Sequence, residues 1–231
     1  MRGVAVAVVV VAALTAGGAS AQPAAAPPAT PPTPAAPTPA AGPRTFVIDA
    51  KQSVLAVQVF KDGAAAALAH NHVVSATTIS GRIVVDPANS ASARIDVSLP
   101  TAGLVNDDPK LRKRFGVTGD VPEGDRKMIL EHMQDEGQLD IAHFPTMQFS
   151  STSTTGTGSK LVLNGKLTMH GVTRDISVPV DVTFTDTGVR GTGSVKLKTS
   201  DFGIEPYSAF LGAVKNKDGI VLHIDLVATA G

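Results

Sequence analysis

The chain contains no cysteine and no tryptophan, and only one tyrosine and eight phenylalanines among 231 residues. Without cysteine there is no disulfide, no thiolate metal site, no thiol nucleophile and no acylated cysteine to anchor a lipoprotein. The folded part must therefore hold together by its core alone, even in an oxidising compartment. Few aromatic rings mean few bulky groups to fill an interior. An excess of charge is missing as well: 20 Lys and Arg stand against 20 Asp and Glu. A nucleic-acid reader would carry a basic surplus, so that partner class is not expected. The basic cluster Lys110-Leu111-Arg112-Lys113-Arg114 is local, has no interleaved aromatics and reads as a solvated loop or helix start.

No apolar run reaches the roughly 20 residues that span a bilayer as a helix. The longest, Val4 to Leu14, follows Arg2 and precedes Ala19-Ser20-Ala21. A charged start, a short apolar stretch and an A-x-A site are the parts of a secretory signal peptide. Residues 1–21 are thus expected to be a leader, with no transmembrane segment left after its removal and a periplasmic or secreted destination. Residues 22–43 are dominated by Ala, Pro and Thr. They have too little apolar bulk for a core, and their prolines favour an extended spacer. Residues 44–231 remain as one domain of ordinary size. Nothing in the residues speaks to oligomeric state.

Within that domain, period-two alternation dominates. Ile176, Val178, Val180, Val182 and Phe184 share one face of a strand, while Ser177, Asp181 and Thr183 take the other. Pro179 cannot donate to a ladder, so an edge or a bulge is expected there. Similar alternation places Ile79, Gly81, Ile83 and Val85 together, then Ile95, Val97 and Leu99. It recurs with Leu161, Leu163, Leu167 and Met169, with Val189, Val195 and Leu197, and with Ile220, Leu222, Ile224 and Leu226. In the last run His223 and Asp225 fall on the wet face. Adding the weaker runs Val54–Phe60 and Met147–Ser151 gives about eight strands, enough for a barrel or sandwich. Thr154 to Lys160 is short, polar and Gly-rich, as a hairpin loop should be.

Asp107 to Gln138 breaks the pattern. Asp107-Asp108 before Pro109 reads as a turn. Farther on, early acids (Glu123, Asp125), Ile129 and Met133 at i, i+4, and Gly137 past the end predict a short helix. It would pack on the barrel or over its mouth.

Three segments carry a family resemblance: His143-Phe144-Pro145-Thr146-Met147-Gln148-Phe149-Ser150-Ser151, Gly165-Lys166-Leu167-Thr168-Met169-His170-Gly171-Val172-Thr173-Arg174, and Thr199-Ser200-Asp201-Phe202-Gly203-Ile204. In this order and spacing, from Phe46 to Ala228, the chain resembles the YceI-like family of exported lipid-binding proteins. The resemblance implies an all-β fold, a lipocalin-like antiparallel β-barrel with a short helical insert. It also implies an elongated cavity for an isoprenoid quinone-like lipid or another long-chain amphiphile, with no cofactor required. The motifs have a structural reading too, since His170-Gly171 lies between two alternating strands and suits a tight turn. Against the resemblance, Gly63 to Ala69 is unusually small and apolar for a barrel strand. Its small side chains would widen the cavity or let the chain pass close to a neighbour.

Residues on inward faces are the expected ligand contacts: Val57, Ile83, Val97, Leu167, Val178, Val180, Leu197 and Phe202. His70 and His72, at i and i+2, would stand near a polar head group or, on the alternative reading, serve a metal-binding or redox-associated periplasmic protein. That alternative lacks a third and fourth ligand nearby, so no metal site is expected. No G-x-S-x-G, H-E-x-x-H or phosphate-binding loop is present, and no catalytic residue is expected.

Overall fold

Alternation carries through into paired strands. The computed structural model describes residues 42–231 except Asp186. The expected leader lies outside the described residues, as does the Ala/Pro-rich spacer apart from Gly42 and Pro43. The chain runs β1 (Arg44–Ile48), β2 (Val54–Asp62), β3 (His72–Ala76), β4 (Ser80–Asp86), β5 (Asn89–Pro100) and β6 (Leu104–Asn106). Two helices follow, α1 (Pro109–Arg114) and α2 (Glu123–Gln134). The chain then continues through β7 (Thr146–Thr157), β8 (Lys160–Met169), β9 (Val172–Phe184), β10 (Gly188–Lys198), β11 (Ser208–Ala209) and β12 (Val214–Ala230).

Every pairing is antiparallel. The neighbour order β1-β4-β5-β7-β8-β9-β10-β12 is closed by β12 pairing back onto β1, which makes an eight-stranded barrel. β12 does two jobs along its length. Ala228 to Ala230 pair with β1, whereas Lys215 to Asp225 pair with β2, which carries β3 and β6 beyond it. The wall therefore widens at one end of the barrel.

The narrow end is packed solid. Phe46, Ile48, Ile79, Ile83, Val85, Ala93, Val189 and Ala228 bury their side chains together there. Phe46 pairs with Ile83, and Ile83 with Ile95, so this end is filled from three adjacent strands. β9 is an interior strand, but its ladder with β10 stops at Val180. Pro179 falls just past that stop, where no N–H is needed on the β10 side.

Four local expectations are corrected. The stretch read as a hairpin loop is mostly strand: β7 runs to Thr157, which pairs with Lys160 around a two-residue turn at Gly158-Ser159. Threonines suit an extended chain even without an apolar face. The Gly63–Ala69 stretch is no strand but a connection with a 3₁₀ turn over Ala66–Leu68. The helical insert is two helices, because Asp108 caps a first one by accepting from Lys110 N and Leu111 N, with Pro109 at its first position. Finally, Arg112 in the basic cluster is buried, not solvated.

Candidate ligand-binding cavity

The widened end of the barrel encloses a cavity of about 640 Å³. Its floor is shared with the packed core: Ile95, Val97, Leu163, Val178, Val180 and Leu226 are buried and also line the cavity. Rows across the strands build the wall, such as Val97, Phe149 and Leu167, paired in succession from β5 through β7 to β8. The other end is open, since Leu68, Met128 and Tyr207 line the cavity while remaining exposed.

Val57, Val97, Leu167, Val178, Val180 and Leu197 all lie on this lining, and so do His70 and His72. Ile83 does not, because Phe46 and its neighbours fill the narrow end around it. Phe202 is also displaced from the expected place. After Lys198 the chain leaves the strand for a 3₁₀ turn over Ser200–Phe202, and the ring is enclosed against β9 and β10 instead of reaching the cavity.

Sequence reasoning missed several lining groups. From α2 comes Met128 beside the paired Ile129 and Met133, and Tyr207 joins it at the opening, where His132, an exposed or mouth-lining residue on the sequence reading, also lies. Every methionine among the described residues, Met128, Met133, Met147 and Met169, lines the cavity. Thioether side chains are flexible and polarisable, so they adapt to irregular apolar shapes. That placement was open to a sequence signal, because methionine occurs nowhere else in the domain.

The polar groups behind β3 form a buried cluster. Asp107, almost fully enclosed, accepts from His72 Nδ1 at 2.7 Å, from Val73 N at 3.0 Å and from Arg112 Nη1 at 2.6 Å. Arg112 also donates to the carbonyls of Asn71, Thr118 and Gly119. Burial alone would raise the Asp107 carboxyl, but the hydrogen bonds from His72, Val73 N and Arg112 hold it below the ordinary carboxylate range. The expected turn at Asp107-Asp108 is therefore also a buried ionic anchor.

A second cluster sits on the other face of β12. His223 and Asp225 were expected to be wet, yet Asp225 is buried. It accepts from Arg190 Nε and Nη2, both at 2.8 Å, and from Arg114 Nη2 at 2.6 Å. The His223 ring stacks on Phe115 with centroids 4.2 Å apart. Burial, and then the Arg114 charge, lowers the His223 pKa. The end of α1 covers this face, which alternation within β12 cannot foretell.

For the metal alternative, the His70 and His72 rings lie 6.3 Å apart. His72 Nδ1 is already committed to Asp107. Among the described residues no group of three or more His, Asp or Glu is placed to hold a metal ion.

A closed antiparallel barrel with an apolar, one-ended cavity defines a lipocalin-like binding barrel. The chain belongs to the YceI-like family, whose domain profile matches residues 46–228. That family is a binding-barrel fold and not a known enzyme class. Proteins named UPF0312 protein from Pseudomonas savastanoi pv. phaseolicola and from Pseudomonas syringae pathovars syringae and tomato are each 29% identical over 136 residues. The match covers 54% of this chain and 59% of theirs, less than two thirds of their length. Among solved structures, Burkholderia cenocepacia BcnA superposes with a TM-score of 0.60 at 19% identity, covering 79% of this chain and 99% of that one. The Campylobacter jejuni YCEI protein gives 0.52 at 20% identity, covering 68% and 84%. At such identities the likeness speaks for the fold alone. No helix of the described residues is long and apolar enough to cross a membrane.

Proposed function

We propose that the protein is an exported carrier or scavenger of a long-chain isoprenoid or similar amphiphilic lipid. The observation that carries this reading is the cavity itself: about 640 Å³, apolar along its wall and open at one end. A chain entering it leaves water without needing any polar partner. At roughly 0.8 kcal/mol per buried CH₂, about a dozen carbons contribute on the order of 10 kcal/mol. That can exceed the several kcal/mol lost in immobilising the ligand. The four methionines suit a tail without rigid shape. An isoprenoid quinone-like lipid meets these terms, as would other amphiphiles of similar girth. The periplasmic or secreted destination rests on Arg2, the Val4–Leu14 run and the small residues Ala19 and Ala21.

The test is to isolate the protein from its exported compartment, extract it with organic solvent and weigh what comes out. A long-chain amphiphile close to one per protein is expected. An extract with no apolar molecule, together with a delipidated protein that takes up none from lipid vesicles, would overturn the reading.

A further inference from the structure

We propose that His72 reads the polar end of the ligand, and that it selects an uncharged head group ending in an O–H donor, an alcohol or a phenol. This rests on the carrier reading and deepens it.

Position comes first. His72 opens β3 opposite Val59 of β2, and both residues line the cavity. Val74 and Ala76 continue the same inward face, while Leu68, Ala69 and His70 lie on the rim before it. The His72 side chain is 15% exposed, so it sits just inside the opening. A tail filling the apolar wall would bring its end to this ring. His70 is exposed and makes no hydrogen bond among the described residues, so no hydrogen bond fixes its ring in one orientation.

Chemistry comes second. The His72 ring is fixed by its 2.7 Å bond to Asp107, whose side chain is wholly enclosed and tied to Arg112 and Val73 N. A carboxylate only accepts, so the neutral ring carries its proton on Nδ1 and keeps a lone pair on Nε2. Nε2 has no hydrogen-bond partner among the described residues. With Nδ1 committed to Asp107, Nε2 is the ring nitrogen that His72, a lining residue, has left to offer, and it asks for a donor. Asp107 and Arg112 are positioning residues: they orient the ring and choose its tautomer without reaching the ligand.

Charge comes third. An anionic head would meet the Nε2 lone pair, and the carboxylates of Asp125 and Glu205 line the cavity along with a single lysine, Lys217. A neutral hydroxyl fits where a carboxylate does not. A purely apolar end would leave Nε2 unsatisfied.

Delipidated protein loaded with N-phenyl-1-naphthylamine and titrated with 1-dodecanol, dodecanoate or dodecane tests this. In the parent, dodecanol should displace the dye at lower concentration than dodecanoate. In His72→Phe, dodecanol should weaken about tenfold, one hydrogen bond's worth, while dodecane shifts less than about twofold. Equal weakening of dodecanol and dodecane, or a preference for dodecanoate that is lost in the variant, would overturn the assignment and leave the carrier reading standing. If none of the three displaces the dye from the parent, both fall. Nitrogen-15 spectra of the unmutated protein keep the idea testable should the variant not fold. Free His72 should show an unprotonated Nε2 whose signal moves on adding dodecanol and stays still with dodecane. A protonated Nε2 in the free protein at neutral pH would overturn the assignment.

Discussion

The rings of Phe144 and His170 lie 4.4 Å apart, centroid to centroid, and this contact joins two of the three motifs that mark the family. The third joins through His170 Nδ1, 3.3 Å from the carbonyl oxygen of Phe202. None of these residues lines the cavity. Phe144, His170 and Phe202 form a knot around the turn between β8 and β9, so their own bearing on ligand is indirect, while Met147, Phe149, Leu167 and Met169 of the same motifs line the cavity. The knot holds the strands whose other residues make the wall.

Gly171 is where that knot is tightest. Its φ of 71° is in the left-handed region, and a Cβ built there would come 2.5 Å from Phe144 Cε1. Gly171→Ala should therefore destabilise by about 1–3 kcal/mol. For a domain this size, that is a fall in melting midpoint of about 2–4 °C per kcal/mol. Calorimetry checks it. Extractable lipid per folded protein should not change.

Acid sensitivity follows from Asp225. Hydrogen bonds from Arg190, chiefly, hold its carboxyl below the ordinary carboxylate range; burial opposes them, and Arg114 adds to them. A depressed native pKa contributes stability above the unfolded value of about 3.9 and loses it as pH falls through the native value. Asp225→Asn should cost about 1.5–3 kcal/mol near neutrality, the worth of a hydrogen bond to a charged group. The gap between parent and variant melting midpoints should hold from about pH 7 down to about 4 and narrow as pH falls below that. A gap that stays constant even there would show that the ion pairs carry none of the effect.

Much of the barrel was legible in the order of residues, and the reasons are local. Ile176 to Phe184 alternates because one face of β9 is buried, and period two reads a face directly. The same rule placed Val57, Val97, Leu167 and Leu197 on the cavity wall. It failed wherever a distant segment decides. His72 and Asp107 are 35 positions apart, and only the pairing of β3 with β6 brings the carboxylate behind the ring. Arg112 looks solvated among its basic neighbours until Asp107 claims it. Asp225 reads as wet because alternation cannot report that α1 folds over the outside of β12. Phe202 failed differently: the strand ended one turn before it.

Leu211 stands at φ 54° and ψ 35°, fully exposed, directly after Phe210 at φ 51°. A leucine in that conformation costs about 1–2 kcal/mol, and asparagine tolerates it better. Leu211→Asn gives up no burial. It should raise stability by about 0.5–1 kcal/mol, or roughly 1–4 °C in melting midpoint. A lower midpoint would mean that the leucine makes a contact in solution.

The mature protein is expected to begin at Gln22, following the small residues Ala19 and Ala21. Intact-mass measurement of protein recovered from the exported fraction checks this. Retention of Met1 there would refute the leader.

Val180→Phe separates an open carrier from a filled barrel. Val180 pairs with Leu161 on one side and Gly193 on the other, and it belongs both to the buried core and to the cavity wall. Were the space above it packed, the added ring would overcrowd the core, at about 1–3 kcal/mol. That would lower the melting midpoint by about 2–4 °C per kcal/mol. With open space above it, the ring can turn into the volume a ligand would use. Delipidated parent and delipidated variant should then melt at similar temperatures, while the variant as purified yields much less lipid. The delipidated forms are the ones to compare, because a bound ligand stabilises by mass action and would mask the difference. A delipidated variant melting well below its parent, with no lipid extracted from either protein, would leave a structural barrel and no carrier.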